Sequence, residues 1–395
     1  MIIKPLIRDN IALNTHPLGC KENILSQIND IKNNSSLKTL PLNVLIIGGS
    51  SGYGLASRIV LASKNKAFTY NVFYEKEPTT KRLGSAGYYN NYFFNKYCEA
   101  NNLDTFDLNG DCFSNETKQE VIRFFTTNNI KIDLIVYSVA SSVRIDPITK
   151  EKYVSSLKPI KEEYHGYTID LGKDKIIEKS IQVASQEEIN NTIKVMGGED
   201  YLLWIKTLDE AQVLNENVKA IAYTYIGAPS TYPIYKDGTI GQAKRDLEKK
   251  NIDINKILNK YQGKSYIVSA KSVVTKASVY IPTVPLYMSA LFKVMKEHHQ
   301  YESISQHIYR LFNDMIYGNN ILKDDNDIVR LDSFELDDTI QNEVNILLNH
   351  EVNNNLLSTI DYHFFKEEFL KINGFGFNNI NYDEDIDIKE YLKEE

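Results

Sequence analysis

Cysteine is scarce in this chain. Cys20, Cys98 and Cys112 are the only three among 395 residues, an odd number without a CxxC pair. Neither a disulfide framework nor a zinc site is expected, and a reducing cytoplasm is the natural setting. Histidine is sparse as well, and His298-His299 comes with neither an HExxH helix nor a carboxylate cluster, so no metal site is expected. Long apolar runs are missing. The longest, Val279 to Phe292, carries Pro282 and Pro285 and reads as a buried or ligand-lining helix rather than a membrane span. The first residues are broken by charge every few positions and do not read as a signal peptide. Excess positive charge is lacking too. A net charge of −7 argues against general affinity for nucleic acid or anionic membrane, while leaving room for a local basic patch that receives an acidic partner.

What is present is the composition of a globular protein, 42% hydrophobic and 25% charged, long enough for one large domain or two ordinary ones. Strand candidates at Asn43–Ile47, Phe68–Tyr74, Thr105–Leu108, Ile132–Val139, Ala220–Ile226 and Tyr266–Val274 alternate with helical stretches such as Ser114–Thr127. That order predicts an α/β fold with a Rossmann-type, doubly wound parallel sheet. Short alternating segments between residues 141 and 185 predict a β-hairpin insertion. Residues 281–395 read as a helical extension, with Ile304, His307, Ile308 and Leu311 on one face. The chain is expected to form one enlarged domain, its dinucleotide-binding core spanning about 40–280. Asp324–Asp327 and the acidic tail from Asp383 to Glu395 read as solvated surface.

Gly48, Gly49, Ser50, Ser51, Gly52, Tyr53 and Gly54 follow a strand directly and open a helix. A backbone must turn tightly there if it is to approach a pyrophosphate at a helix N-terminus. Glu75 lies at the end of the next strand, about twenty residues on, where a carboxylate can accept ribose hydroxyls and repel a 2′-phosphate. NADH is therefore expected over NADPH. Asp111 follows the third strand, where an adenine would lie, and Ser138, Val139 and Ala140 end the fourth; spacing alone does not choose between cofactor contact and strand-end packing for these.

Tyr235 and Lys244 stand nine residues apart, with Gly238 and Thr239 between them. At about 100° per residue, nine residues give roughly half a turn of opposition on one continuous helix. The spacing therefore places Tyr235 in a loop and Lys244 inside the helix that follows. A lysine ammonium near a phenol would favour the phenolate. Tyr225 ends a strand and points toward the carboxyl edge where ligands bind in such sheets. With 26 tyrosines in the chain, any single one is more often a packing residue. His16, before Pro17, reads as structural, and Trp204 as packing the insertion against the core.

Several segments together resemble the FabV-type enoyl-ACP reductase and trans-2-enoyl-CoA reductase family, a branch of the short-chain dehydrogenases. They include His16 to Cys20, Gly52 to Arg58, Val136 to Ala140, Lys194 to Asp200, Ala222 to Gly227 and Leu291 to Lys296. The resemblance runs from Ile2 to Phe377. It implies NADH-dependent reduction of the C2–C3 bond of a trans-2-enoyl thioester carried by acyl carrier protein or coenzyme A. By position it implies Gly48 to Tyr53 on the pyrophosphate, Tyr74 with Glu75 on the adenosine ribose, and Asp111 with Cys112 at the adenine. Val139 and Ala140 would line the cofactor, and Val273, Val274 and Thr275 would border the nicotinamide. Tyr225 would contact the thioester, Tyr235 would donate the proton and Lys244 would hold the cofactor. Leu286 and Tyr287 are expected to touch the acyl group from the helix that covers the substrate. Tyr88-Tyr89 and Tyr201 replace tryptophans common in the family, and Gly49 and Cys112 stand where other small residues are common. A monomer is expected. Carbonyl reduction by an ordinary short-chain dehydrogenase and a non-catalytic NADH-sensing module are the rival readings.

Overall fold

The computed structural model describes residues 1–36, 42–349 and 354–392. The expected start of the core at about 40 and the last three residues of the acidic tail lie outside the described residues. Seven parallel strands form the central sheet: β1 (Asn43–Ile47), β2 (Phe68–Phe73), β3 (Thr105–Asn109), β4 (Ile132–Tyr137), β5 (Leu214–Thr224), β6 (Lys264–Ser269) and β7 (Val329–Arg330). Their spatial order is β7-β6-β5-β4-β1-β2-β3. The direction of winding reverses between β1 and β4, which opens a crevice at the carboxyl ends of those strands. Four consecutive buried residues in β1, Val44 to Ile47, and four in β4, Leu134 to Tyr137, are what a strand covered on both faces requires.

The helices are α1 (Pro17–Asp30), α2 (Gly52–Asn65), α3 (Ala86–Ala100), α4 (Asn115–Thr127), α5 (Gln186–Met196) and α6 (Glu199–Glu210). They continue with α7 (Thr239–Leu258), α8 (Val284–Glu297), α9 (Ile304–Arg310), α10 (Asp338–Leu348) and α11 (Tyr362–Lys371). One face of the sheet packs against α2 and α9, with Ile46, Val136, Ile59, Ile308 and Phe312 in one cluster. The other packs against α4, α6 and α7, where Trp204 is fully buried among Phe125, Ile135 and Leu247. Trp204 thus anchors α6 to the sheet rather than the insertion to the core: its indole N–H donates to the Cys112 carbonyl at 3.1 Å.

The insertion holds two hairpins instead of one, Val143–Ile145 with Lys152–Val154 and Tyr164–Asp170 with Lys175–Ile181. The C-terminal part is helical, but it also returns β7 to the sheet edge beside β6. The Asp324–Asp327 segment that precedes β7 is a turn: Asp324 Oδ1 accepts from the backbone N–H of Asn326 and Ile328 at 3.0 and 3.1 Å. Helix α8 is buried around most of its circumference, from Val284 through Phe292, and packs against α10 and α11. His16 is the N-cap of α1, its Nδ1 accepting from the Gly19 N–H at 3.2 Å, and His298 is the C-cap of α8. Among the described residues no helix is long and apolar enough to cross a membrane, and no group of three or more metal-ligating side chains occurs.

Candidate active site

The glycine turn joins β1 to α2 at the sheet crevice. Gly48 adopts φ +93°, a left-handed conformation that side-chain-bearing residues avoid, and a Cβ there would lie 2.4 Å from the Ser138 carbonyl oxygen at the end of β4. Ser51, the N-cap of α2, makes no side-chain cap, so the first N–H groups of α2 are left for an anion. Beneath the turn lies a buried polar stack. Asn71 Oδ1 accepts from the Gly49 N–H at 3.1 Å, and Asn71 Nδ2 donates to Asn91 at 3.2 Å and Asp107 at 3.3 Å. Arg58, fully buried, pairs with Asp107 at 2.7 Å. Glu75 follows β2 and is tied back to the turn, Ser50 Oγ donating to its Oε1 at 2.7 Å. Tyr74 is 78% exposed beside it.

Asp111 Oδ1 accepts from the Phe113 N–H at 3.0 Å, fixing the turn after β3. The Cys112 carbonyl is held by the buried Lys118 ammonium at 2.7 Å, and Lys118 pairs with the buried Asp200 at 2.8 Å. The loop after β3 is therefore clamped from behind by α4 and α6. Val139 is half-buried and Ala140 exposed at the end of β4.

Across the crevice from the turn runs the loop after β6. A cavity of about 280 Å³ has Ser51 and Gly52 on one wall and Lys271, Val273, Val274 and Thr275 on the other. A Cβ placed on Gly52 would lie 3.6 Å from Thr275 Cγ2, so the two walls face each other closely. The Tyr53 hydroxyl donates to the Lys271 carbonyl, and its ring packs at 5.1 Å from that of Tyr223. Tyr53 therefore ties α2 to this loop.

The nine-residue spacing is resolved as expected. Tyr235 sits in the turn before α7, Gly238 is the helix N-cap and Lys244 lies inside the helix. The Tyr235 carbonyl accepts from the N–H groups of Gly238 and Gly241 at 3.2 and 3.0 Å. Gly241 permits this close return, since a Cβ there would lie 1.8 Å from the Lys236 carbonyl oxygen. The electrostatic coupling differs from expectation. The Lys244 ammonium donates to the Tyr223 carbonyl at 3.3 Å, and burial pushes the Tyr235 phenol up rather than down. Desolvation of the phenolate is the cause. Burial also brings Lys244 down to about 8.

The rings of Tyr225 and Tyr235 meet edge-on at 5.0 Å. Tyr225 also belongs to a network the sequence did not suggest. Its hydroxyl donates to Glu335 at 3.0 Å and lies 2.7 Å from Ser272 Oγ. Tyr287, 1% exposed, donates to the same carboxylate at 2.9 Å, while Leu286 is buried in the core around α8. Glu335, Ser272 and Lys271 escaped the sequence reading. The one signal for Glu335 is its place between Phe334 and Leu336 in an otherwise acidic run.

Known protein families match this chain along most of its length. Residues 2–80 match the family described as the NAD(P)H binding domain of trans-2-enoyl-CoA reductase, and residues 82–317 the trans-2-enoyl-CoA reductase catalytic region. Residues 323–386 match a family described as the enoyl reductase FAD binding domain. Among the described residues of that last stretch, Ile340, Val344, Phe365 and Phe369 are buried around α8. Those faces are closed by packing and do not fit a flavin. The chain is 44% identical over 389 residues to an enoyl-[acyl-carrier-protein] reductase [NADH] of Idiomarina loihiensis, covering 98% of this chain and 99% of the relative. The corresponding figure for a Vibrio cholerae protein of the same name is 45%, over 98% and 97%. A crystal structure of Clostridium acetobutulicum trans-2-enoyl-CoA reductase in complex with NADH superposes with TM-score 0.96 at 41% identity, covering 99% of both chains. The Treponema denticola enzyme in complex with NAD gives 0.93 at 38% identity, covering 98% of both.

Proposed function

The chain belongs to the trans-2-enoyl-CoA reductase family, and on that footing we propose that it reduces the C2–C3 double bond of trans-2-enoyl thioesters with NADH. The observation that carries this reading is the convergence of the edge-on Tyr225–Tyr235 pair with a loop, Ser272 to Thr275, that faces a dinucleotide turn. The group supplied by NADH when bound is a hydride for C3 of the substrate. The uncapped N-terminus of α2 and the left-handed turn suit its pyrophosphate, with Gly48 to Tyr53 as the cradle. Tyr74 and Glu75 are assigned to the adenosine ribose, Asp111 and Cys112 to the adenine, and Val139 and Ala140 to the cofactor's inner half. Val273, Val274 and Thr275 are assigned to the nicotinamide side.

As C3 gains its hydride, negative charge grows on the thioester oxygen. A phenolic O–H from Tyr225 stabilises that charge as it forms, inside a site where burial strengthens it. Protonation at C2 completes the saturated acyl chain, with Tyr235 as the donor. Its raised pKa keeps the proton on the phenol until it is needed. Lys244 orients the cofactor from behind Tyr223. Leu286 and Tyr287, on α8, are assigned to the acyl chain. The chain acts as one enlarged domain, a reading supported by core clusters that join C-terminal residues to the sheet and to the N-terminus.

Acyl carrier protein is the proposed carrier, in keeping with the names of the sequence relatives. Coenzyme A is the second reading, favoured by the names of the structural relatives. A cytoplasmic monomer is proposed; sedimentation tests its state. NADH oxidation with crotonyl-CoA, a longer enoyl-acyl-carrier substrate and acetoacetyl-CoA, side by side, tests the function. Both enoyl thioesters turn over and acetoacetyl-CoA does not; turnover of acetoacetyl-CoA alone would make this a carbonyl reductase.

A further inference from the structure

One carboxylate gathers three hydroxyls, that of Tyr225 among them. Glu335 is fully buried. Its Oε1 accepts from Tyr225 at 3.0 Å, Tyr287 at 2.9 Å and Ser272 Oγ at 3.0 Å, and its Oε2 from the Ser272 N–H at 2.5 Å. Gln341 Nε2 buttresses the group, donating to the Tyr287 oxygen at 3.0 Å and the Glu335 carbonyl at 2.6 Å. Among the described residues no lysine, arginine or histidine comes within ion-pair distance of it.

The titratable groups that face Glu335 come from five places: Tyr53 on α2, Tyr225 after β5, Lys271 in the loop after β6, Tyr287 on α8 and Asp332 on its own segment. Lys271 is the one cation in that set. Its ammonium lies 5.0 Å from the Tyr301 ring centre and 5.9 Å from that of Phe292. Burial, reinforced by Asp332, raises the carboxyl above its ordinary range, while the donors around it pull the other way.

A carboxylate only accepts hydrogen bonds. When Glu335 is ionised it competes with the substrate for the proton of Tyr225. Ser272 Oγ has one proton and cannot satisfy both the carboxylate and the Tyr225 oxygen. An ionised Glu335 therefore leaves Tyr225 facing the thioester with lone pairs, against the charge it should stabilise. A neutral carboxyl can instead donate to the Tyr225 oxygen and free the phenolic proton.

We propose that Glu335 is a positioning residue that works as the neutral acid, donating to the Tyr225 oxygen and so turning the Tyr225 hydroxyl toward the thioester oxygen. The proposal rests on the reading of Tyr225 given above. Glu335 keeps its proton through the cycle, and the proton that reaches C2 comes by way of Tyr235, so no further reactant is needed.

The test is the pH profile of kcat in Glu335→Gln, Glu335→Ala and Tyr225→Phe, with NADH fluorescence titration and thermal melting as checks of folding. Gln cannot ionise, yet its oxygen can accept from the Ser272 N–H and its amide can donate to Tyr225. E335Q keeps most of its turnover and holds its plateau to higher pH than wild type. E335A leaves only the Ser272 hydroxyl, itself no longer held by the carboxyl, beside Tyr225, and loses about tenfold or more in kcat with little change in NADH affinity. An E335Q that binds NADH but is as slow as E335A would overturn the proposal, as would an E335Q profile superimposable on wild type. If E335Q does not fold, Tyr287→Phe takes its place. Removing one donor disfavours the carboxylate, so the alkaline limb moves up in pH, and an unmoved limb refutes the assignment. Y225F separates the two readings. Full turnover in Y225F defeats the Tyr225 reading and Glu335 with it, whereas a slow Y225F beside an unshifted E335Q profile defeats only the Glu335 proposal.

Discussion

Ser50 Oγ donates to Glu75 Oε1 at 2.7 Å, which makes the glycine turn and the first carboxylate after β2 one unit. The carboxylate is also pressed against α3: a Cβ on Gly87 would lie 2.0 Å from the same oxygen. A 2′-phosphate arriving there meets a fixed negative charge instead of a side chain free to swing aside. Glu75→Ala is therefore expected to narrow the preference for NADH over NADPH, measured as the ratio of kcat/KM values. Wild-type enzyme that uses the two cofactors equally would remove this role from Glu75.

Tyr235→Phe keeps the ring and its edge-on contact with Tyr225 while removing the proton. Turnover is expected to fall by about 10²–10⁴-fold, with NADH binding little changed because the turn and Lys244 remain. Near-normal turnover in this variant would transfer proton delivery to another group, and Tyr225 is the nearest phenol.

Lys244 links activity to pH. With its ammonium brought down to about 8 by burial, the free enzyme loses the charge as pH rises through that value, and kcat/KM for NADH should fall with it. Stability moves the other way. Between about 8 and the ordinary lysine value of 10.5 the unfolded chain binds the extra proton, so this group's contribution to stability rises with pH. Lys244→Met should remove the alkaline fall from an already weakened profile. A wild-type profile flat to about pH 10 would contradict the assignment.

The strand, turn and helix at Asn43 to Asn65 were legible because an apolar β-branched run meets glycines and then a 3.6-residue period. The loop-then-helix geometry of Tyr235 and Lys244 was legible because nine residues do not fit one helical face. β7 was not: two residues, Val329 and Arg330, carry no period of their own and become a strand only by pairing with β6. Two hairpins in the insertion read as one because the connection between them has no distinct composition. Glu335 stayed hidden because its burial depends on Tyr225, Ser272 and Tyr287, which are 48 to 110 residues away in sequence. The acceptor of Lys244, a backbone carbonyl of β5, leaves no mark on side-chain pattern at all.

His16 should set part of the acid sensitivity. It is fully buried, its Nδ1 caps α1 at 3.2 Å, and its Nε2 has no hydrogen-bond partner among the described residues. Burial lowers it to about 4 from 6.5. As pH falls through that window the unfolded chain gains a proton that the folded chain refuses, so stability is lost there. The loss is about 1.4 kcal/mol for every tenfold difference in proton affinity between the two states. His16→Asn keeps an N-cap oxygen and cannot titrate. The drop in melting temperature between neutral pH and the bottom of that window should be smaller in H16N than in wild type. Equal drops would show that His16 plays no part.

Hydride addition at C3 of an enoyl thioester followed by protonation at C2 is what separates this reaction from carbonyl reduction. It is tested most directly by turning over crotonyl-CoA with NADH deuterated at both C4 positions, and by locating the label in the product by mass spectrometry and NMR. The account requires a butyryl thioester with one deuterium at C3 and none at C2, with the pattern reversed when unlabelled NADH is used in D₂O. Crotonyl-CoA left intact while acetoacetyl-CoA is reduced to a 3-hydroxybutyryl thioester carrying deuterium at C3 would contradict it.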